Sequence, residues 1–218
     1  MTPTIDLFVR QINLDLYERV EPPTEYQVDP SRSALVAETA FALFDQQSGQ
    51  DGIEENFFEN FVEQSGAEAR RRLALLNVDN IVDVLNAEEL DAVKELFRRL
   101  SSFFSERFRP ELIVRPNFPG CGFIDRSEAD VIYDGTLFEV KTVERTFRAS
   151  DIKQLIIYAA LNKKAESYFI RDLGIYNPKR GTKFVMSLDD ICLEIAGVSA
   201  IELLESIAYS VASGEVSR

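Results

Sequence analysis

The first half of the chain places apolar residues at helical spacing. The segment 5–20 has apolar side chains at Ile5, Phe8, Ile12 and Leu16, which predicts a helix with one buried stripe. Proline-rich residues 21–30 predict a loop, because proline stops regular helices. The same spacing predicts further helices over 33–47, 51–61, 67–75, 78–85 and 87–108. Residues 1–108 are therefore predicted to form a largely helical N-terminal region.

The second half alternates between strand and helix patterns. β-type residues at 112–115, a hairpin at 129–142 and strands at 168–176 and 182–186 surround a helix at 151–161, and a last helix follows at 198–211. The order of these elements predicts an α/β fold with a sheet flanked by helices and a helical extension. We expect a core over 109–193 and a C-terminal helix with a tail over 194–218.

The hairpin places charged residues together. Asp134-Gly135 is a two-residue turn signal, so Tyr133 is expected to pair with Thr136. That register sets Asp130 opposite Glu139.

Side chains alternate between the faces of a strand, so Asp130, Glu139 and Lys141 share one face. Ala129, Val131, Phe138 and Val140 form the apolar opposite face. Facing carboxylates repel each other, and a hard divalent cation with a nearby lysine would offset the repulsion.

Composition narrows the chemistry further. The chain contains no histidine, which excludes Ser-His-Asp and Cys-His catalysis and histidine-bound metals. Its 2 cysteines cannot supply a four-cysteine zinc site or a typical iron–sulfur cluster. They fit a reducing compartment. With no apolar run near the roughly 20 residues of a membrane span and no signal-peptide pattern, we expect a cytoplasmic protein without a membrane partner.

Charge is unevenly distributed along the chain. The net charge is −13, yet residues 141–183 contain 10 bases and 4 acids, whereas residues 1–68 contain 14 acids and 3 bases. A local basic patch can bind phosphate although the whole molecule is acidic. The basic residues that flank the hairpin site are therefore candidate nucleic-acid contacts: Lys153, Lys179, Arg180 and Lys183.

The spacing D-x8-E-x-K at Asp130, Glu139 and Lys141 resembles the active site of the PD-(D/E)xK nucleases. Gln154 and Tyr158 are similar to the Q-x-x-x-Y helix of the RecB-like branch of that superfamily. The segment 34–41 resembles the first helix of that branch, and the strand at 173–176 is similar to bacterial members that act in defence against mobile elements. Ala129 stands where many members have proline.

The resemblance implies a restriction-endonuclease-like core that includes the helix near 33–47. It implies catalytic roles for Asp130, Glu139, Lys141 and Gln154. Mg²⁺ or Mn²⁺ would bind Asp130 and Glu139, with the Val140 carbonyl and Glu38 as further ligands. Lys141 would position or activate water, and Tyr158 would lie near the nucleic acid. The expected activity is metal-dependent phosphodiester hydrolysis, in DNA rather than RNA.

Other interpretations stay open. In the first, the acids are plain solvent-facing strand residues, with Lys141 paired to Glu128. In the second, the protein is a non-catalytic subunit or regulator that keeps the nuclease fold and binds a protein partner through its acidic helices. A protein partner or a homo-oligomer is compatible with either function. A nucleic-acid mimic built on those helices is a third possibility.

Overall fold

The computed structural model describes residues 3–48, 58–75, 84–105, 111–122 and 124–213. It divides the chain into two compact units. The first, called the strand unit below, combines Met1–Pro22 with Phe108–Arg218, and the second, the helical unit, is Pro23–Arg107.

A mixed six-stranded sheet forms the centre of the strand unit. Its strands are β1 (Glu18–Arg19), β2 (Leu112–Val114), β5 (Val131–Tyr133), β6 (Thr136–Val140), β7 (Asp172–Asn177) and β8 (Thr182–Ser187). They lie in the order β1-β8-β7-β6-β5-β2. Only β6 and β7 are parallel among these neighbours, because helix α5 (Ala149–Ala165) connects them and carries the chain back along the sheet. A separate ribbon pairs β3 (Asn117–Phe118) with β4 (Ser127–Glu128).

Besides α5, three α-helices and a π-helical turn accompany this sheet in the described residues. Helix α1 (Pro3–Gln11) continues into a π-helical turn (Ile12–Leu16), and α6 (Leu188–Ala196) and α7 (Ala200–Ser213) follow β8. Their apolar faces share one core with α5 and with the inward side chains of β5 to β8, as shown by the buried residues Phe8, Ile132, Leu137, Leu155 and Phe184.

The helical unit contains α2 (Ser33–Gln47), α3 (Phe58–Leu75) and α4 (Ala87–Phe103). Buried residues from α2 and α4, among them Ala40, Leu43, Ala92 and Leu96, pack into one cluster. Asn86 caps α4 by accepting a hydrogen bond from the Glu89 amide at 2.9 Å, and the Glu89 carboxylate accepts one from the Asn86 amide in return.

Several predicted elements are confirmed, and others need correction. The helix predicted over 33–47 is α2, and the α/β class with a mixed, helix-flanked sheet is confirmed. The helix predicted over 5–20 ends earlier, because Glu18 and Arg19 pair with Lys183 and Thr182 of β8. The strand predicted over 168–176 begins only at Asp172, and α6 was not predicted at all.

The division of the chain also differs from the predicted one. Helix α1 belongs to the strand unit, whereas α2, which we placed with the nuclease core, belongs to the helical unit. The physical reason is packing, since Val36 and Ala40 of α2 bury their side chains against α4. The predictions for 51–57, 76–83 and 106–108 lie outside the described residues. No helix among the described residues is both long enough and apolar enough to cross a membrane.

Candidate metal-binding site

The hairpin of β5 and β6 has the register that its turn predicts. Val131 pairs with Phe138, Ile132 with Leu137, and Tyr133 with Thr136. Asp134 and Gly135 both have positive φ, 49° and 72°, as a two-residue hairpin turn of the primed type requires.

Asp130 lies one residue before β5, and its carboxylate is directed at the end of β6. Its Oδ2 accepts a hydrogen bond from the Val140 amide at 2.7 Å. Its carbonyl accepts another from the Arg115 amide at 2.8 Å. Asp130 is therefore fixed at both its main chain and its side chain, next to the strand that carries Glu139.

Glu139 is the buried carboxylate of the site, with 3% of the residue exposed. Burial and the negative charge of Asp130 raise its pKa to about 8, although the Lys141 ammonium acts in the opposite direction. Among the described residues, Glu139 Oε2 is a buried oxygen with no hydrogen-bond partner. The interpretation of Glu139 as a solvent-facing strand residue is therefore wrong.

Lys141 and Gln154 join this pair in a chain of polar contacts. Lys141 Nζ lies 2.6 Å from Glu139 Oε1 and 3.3 Å from Gln154 Oε1. The Gln154 amide donates to the Tyr158 hydroxyl at 2.9 Å, one turn further along α5. The ion pair of Lys141 is with Glu139, while Arg115 contacts Glu128 at 3.4 Å, so the alternative pairing of Lys141 with Glu128 is not the one found.

Tyr158 is held inside the strand unit. Its ring stacks on Phe118, with ring centroids 5.8 Å apart and an interplanar angle of 20°. Burial raises its pKa, the hydrogen bond with Gln154 opposes that effect, and the charges of Glu139 and Asp130 add to it. The phenol is therefore neutral at ordinary pH and can orient the Gln154 amide.

Both faces of the hairpin are buried. Val131 and Phe138, on the face predicted to be buried, are 0% and 4% exposed, but Ile132 and Leu137, which share a face with the carboxylates, are 2% and 0% exposed. The carboxylates therefore lie at the end of an apolar face against α5, and the low dielectric of that setting strengthens their electrostatic interactions.

Sequence reasoning missed a third acid near this site. Asp151 is 2% exposed, accepts two hydrogen bonds from the Arg145 guanidinium at 2.8 and 2.9 Å, and accepts a third from the Arg148 amide at 2.9 Å. Burial tends to raise its pKa, but the bonds from Arg145 and Arg148 together hold that pKa below its ordinary value. An acid at the third position of a helix was the available signal.

The predicted nucleic-acid contacts lie in different surroundings. Lys153, on the first turns of α5, is half-buried. Lys179 contacts Glu144 at 3.1 Å and its side chain is only 12% exposed, whereas Lys183 contacts the exposed Glu18 at 3.1 Å. The Arg180 guanidinium donates to the Arg145 carbonyl at 3.3 Å.

Glu38 belongs to the helical unit. It lies on α2, where its carboxylate is 3.8 Å from the Arg72 guanidinium of α3. The structure brings Asp130, Glu139, Lys141 and Gln154 together within the strand unit, and places Glu38 in the other unit.

The carboxylate oxygens of this site suit a hard divalent cation that completes its coordination shell with water or substrate. Within the described ranges, no group of three or more His, Cys, Asp or Glu side chains gathers as a complete metal site. Asp130 and Glu139 supply two carboxylates, and Glu139 Oε2, which has no hydrogen-bond partner in the described ranges, could serve as a ligand. Mg²⁺ commonly binds one or two carboxylates and completes its shell with water and substrate phosphate, so two acids fit it.

Comparisons of the chain with family models, with curated proteins and with solved structures find no match.

Proposed function

We propose that the protein is a metal-dependent nuclease that hydrolyses phosphodiester bonds, in DNA rather than RNA. The observation that carries this proposal is Glu139, a buried carboxylate beside Asp130. One of its oxygens has the Lys141 ammonium, and the other has no hydrogen-bond partner in the part of the chain that the structure describes. A buried carboxyl group that has a raised pKa and a positively charged neighbour is typical of functional sites. The D-x8-E-x-K spacing and the Gln154–Tyr158 helix support the same assignment.

Asp130 and Glu139 would hold Mg²⁺ or Mn²⁺, with the Val140 carbonyl as a third oxygen ligand. When bound, such a cation stabilises the charge that develops on the phosphate and lowers the pKa of water. Glu139 must lose its proton for this role, and the positive charge of Lys141 at 2.6 Å favours that loss.

Lys141 would position the attacking water and stabilise negative charge on the phosphate. Its side chain is 19% exposed, whereas the Glu139 side chain beside it is 4% exposed. Gln154 accepts from this ammonium and is itself oriented by Tyr158, which fixes the direction of the lysine side chain.

The substrate would approach over the basic segment 141–183. Lys153, Lys179, Arg180 and Lys183 are the candidate phosphate contacts, and each would add a salt-sensitive contribution to binding. Within this proposal the sheet and α5 form a restriction-endonuclease-like core, and the protein acts in the cytoplasm in defence against foreign DNA.

The test is incubation with labelled linear and circular DNA and RNA, in Mn²⁺ and in EDTA. We expect cleavage of DNA in Mn²⁺ and none in EDTA. Glu139→Ala and Lys141→Ala should abolish cleavage while circular dichroism and melting show that the fold is retained. Undiminished cleavage in both folded variants would refute the assignment of this site.

A non-catalytic subunit with a protein partner is the second candidate. The 2.6 Å pair of Lys141 and Glu139 favours it, since a lysine can neutralise a buried carboxylate without any metal. Calorimetry with Mn²⁺ separates the two candidates, because the subunit has no need to bind metal through Asp130 and Glu139.

A further inference from the structure

The loop 142–148 connects the two elements that carry the candidate site, strand β6 and helix α5. It begins after Lys141, at the end of β6, and delivers the chain to α5, which carries Gln154 one turn after Asp151. The contact between Lys141 Nζ and Gln154 Oε1, at 3.3 Å, therefore depends on how this loop holds the start of α5 against the end of β6.

Two asparagines anchor the backbone of the loop to other elements. Fully buried Asn177, at the end of β7, donates to the Val143 carbonyl at 2.7 Å. Asn13, in the π-helical turn, donates to the Phe147 carbonyl at 2.9 Å and accepts from the Phe147 amide at 3.0 Å. These bonds fix the path of the loop relative to the sheet and to the π-helical turn.

The ion pair of Arg145 and Asp151 ties the loop to α5 itself. Two nitrogens of the Arg145 guanidinium donate to the two carboxylate oxygens of Asp151, at 2.8 and 2.9 Å. One of these nitrogens also donates to the Thr146 carbonyl at 2.9 Å. The Asp151 side chain is 3% exposed and that of Arg145 27%. A two-point contact of this kind defines an orientation as well as a distance, which a single contact does not.

We propose that Arg145 and Asp151 are positioning residues of the candidate site, and that their bidentate pair sets the placement of Gln154 against Lys141. Asp151 and Gln154 are three residues apart on α5, so they project from neighbouring points of one helix face. A shift of the first turn of α5 would separate the Gln154 amide from the Lys141 ammonium. The expected change in kcat rests on the proposed nuclease function. The placement of Gln154 by the Arg145–Asp151 pair does not.

The charge of Asp151 also reaches the site. It contributes to the raised pKa of Glu139, after burial and the nearer Asp130, and the Lys141 ammonium in turn favours the charged form of Asp151. The bonds from Arg145 offset the negative charge of this buried acid.

Arg145→Lys is the informative substitution, because it keeps the positive charge and loses the planar fork. We expect kcat for DNA cleavage in Mn²⁺ to fall about five- to tenfold, with KM changed less than twofold. The matched control is Arg171→Lys. Arg171 contacts Asp172 at 2.9 Å near the hairpin turn, at the other end of β6, with a side chain 57% exposed. The control should cleave like the wild type.

Backbone amide exchange, measured without metal or DNA, gives a second readout. In Arg145→Lys we expect exchange over residues 142–154 to accelerate at least tenfold, while exchange in β7 and β8 stays unchanged. If the lysine variant does not fold, the neutral double variant R145Q/D151N replaces it, since it leaves no unpaired buried charge.

The outcomes separate the two proposals. If kcat and amide exchange both stay within twofold of the wild type, the positioning role is refuted. If KM rises while kcat and exchange hold, Arg145 contacts phosphate instead, and the positioning role is equally refuted. A wild type that cleaves nothing would refute the nuclease proposal, and amide exchange alone would then decide the role of Arg145 and Asp151.

Discussion

Each unit of the molecule buries a glutamate, and the two differ in how they are satisfied. Glu89 of the helical unit is 4% exposed, and Glu139 of the strand unit is 3% exposed. Both Glu89 oxygens receive a hydrogen bond from Arg32, at 2.7 and 2.9 Å, and the Asn86 amide adds another at 2.9 Å. These bonds, with Arg32 first, lower the pKa of Glu89 against the opposing effect of burial.

Glu139 has the opposite balance. One oxygen has the Lys141 ammonium, and the other has no partner among the described residues, while Asp130 adds a negative charge nearby. Both glutamates are nearly closed to solvent, yet the pKa of Glu89 is lowered and that of Glu139 is raised, because burial is the largest effect at Glu139 and the bonds from Arg32 are the largest at Glu89. A buried acid whose donors do not offset its burial is the better candidate for chemistry.

The largest expected difference is in catalysis. Glu139→Gln keeps the shape of the side chain and removes a metal ligand, so we expect the cleavage rate in Mn²⁺ to fall by about 1,000-fold or more, a transition-state loss of about 4 kcal/mol. Glu89→Gln should retain the wild-type rate at a temperature where it is folded. Single-turnover cleavage of a labelled duplex measures both, and equal losses in the two variants would remove the distinction between the two glutamates.

The two glutamates also differ in their expected effect on the free energy of unfolding. Here the substitution of Glu89 should have the larger effect, and the substitution of Glu139 the smaller. Glu89→Gln removes the anion that accepts two hydrogen bonds from the Arg32 guanidinium, so we expect a loss of about 3 kcal/mol. Glu139→Gln replaces a carboxyl group that its raised pKa keeps mostly protonated at neutral pH, so it should cost less than about 1 kcal/mol. Urea unfolding followed by circular dichroism measures both values, and a Glu139→Gln variant as unstable as Glu89→Gln would mean that Glu139 serves the fold.

The pH dependence of stability follows from the raised pKa of Glu139. Without metal, the folded protein binds a proton at Glu139 up to about pH 8, whereas the unfolded chain releases it near the ordinary value of 4.5. The contribution of Glu139 to stability is therefore complete below about pH 4.5 and lost as pH rises toward 8. Relative to the wild type, Glu139→Gln should gain about 3 to 4 kcal/mol between pH 5 and pH 8 in EDTA.

Urea unfolding of the two proteins in parallel at pH 5, 6, 7 and 8 tests this prediction. Glu89→Gln serves as the control, because the lowered pKa of Glu89 predicts no such gain over that range. A difference between wild type and Glu139→Gln that stays constant with pH would contradict the raised pKa.

A smaller effect is expected at Gln154, which contacts Lys141 and Tyr158. Gln154→Ala should lower kcat about tenfold, or about 1.4 kcal/mol, and leave Mn²⁺ affinity unchanged. Tyr158→Phe, which removes only the hydroxyl that orients Gln154, should have a still smaller effect in the same assay. A large loss of Mn²⁺ affinity in Gln154→Ala would place the glutamine in the metal site instead.

Elements that depend on residues close together in the sequence were predicted correctly. The Asp134-Gly135 turn predicted the register of β5 and β6, and the periodicity predicted α2 with the bounds that the structure has. The neighbourhood of Asp130, Glu139 and Lys141 followed from that register, because strand alternation is a local property.

Features that depend on distant contacts were missed. Strand β1 forms only because β8 provides its partner, and the pairing of Asn13 with Phe147 joins residues 134 positions apart. The burial of the carboxylate face is set by α5, which lies against it only in the folded unit. No spacing rule predicts that, among the residues the structure describes, both oxygens of Glu89 have a donor and Glu139 Oε2 has none.

Titration calorimetry with Mn²⁺ at pH 8 tests most directly whether Glu139 is a metal ligand rather than a structural acid. The wild type and Glu89→Gln should bind the ion with the same affinity, and Glu139→Gln should bind it at least tenfold more weakly. Binding by the wild type should also weaken as pH falls, since protons and the ion compete for Glu139. No binding by the wild type, or equal affinity in Glu139→Gln, would contradict the assignment.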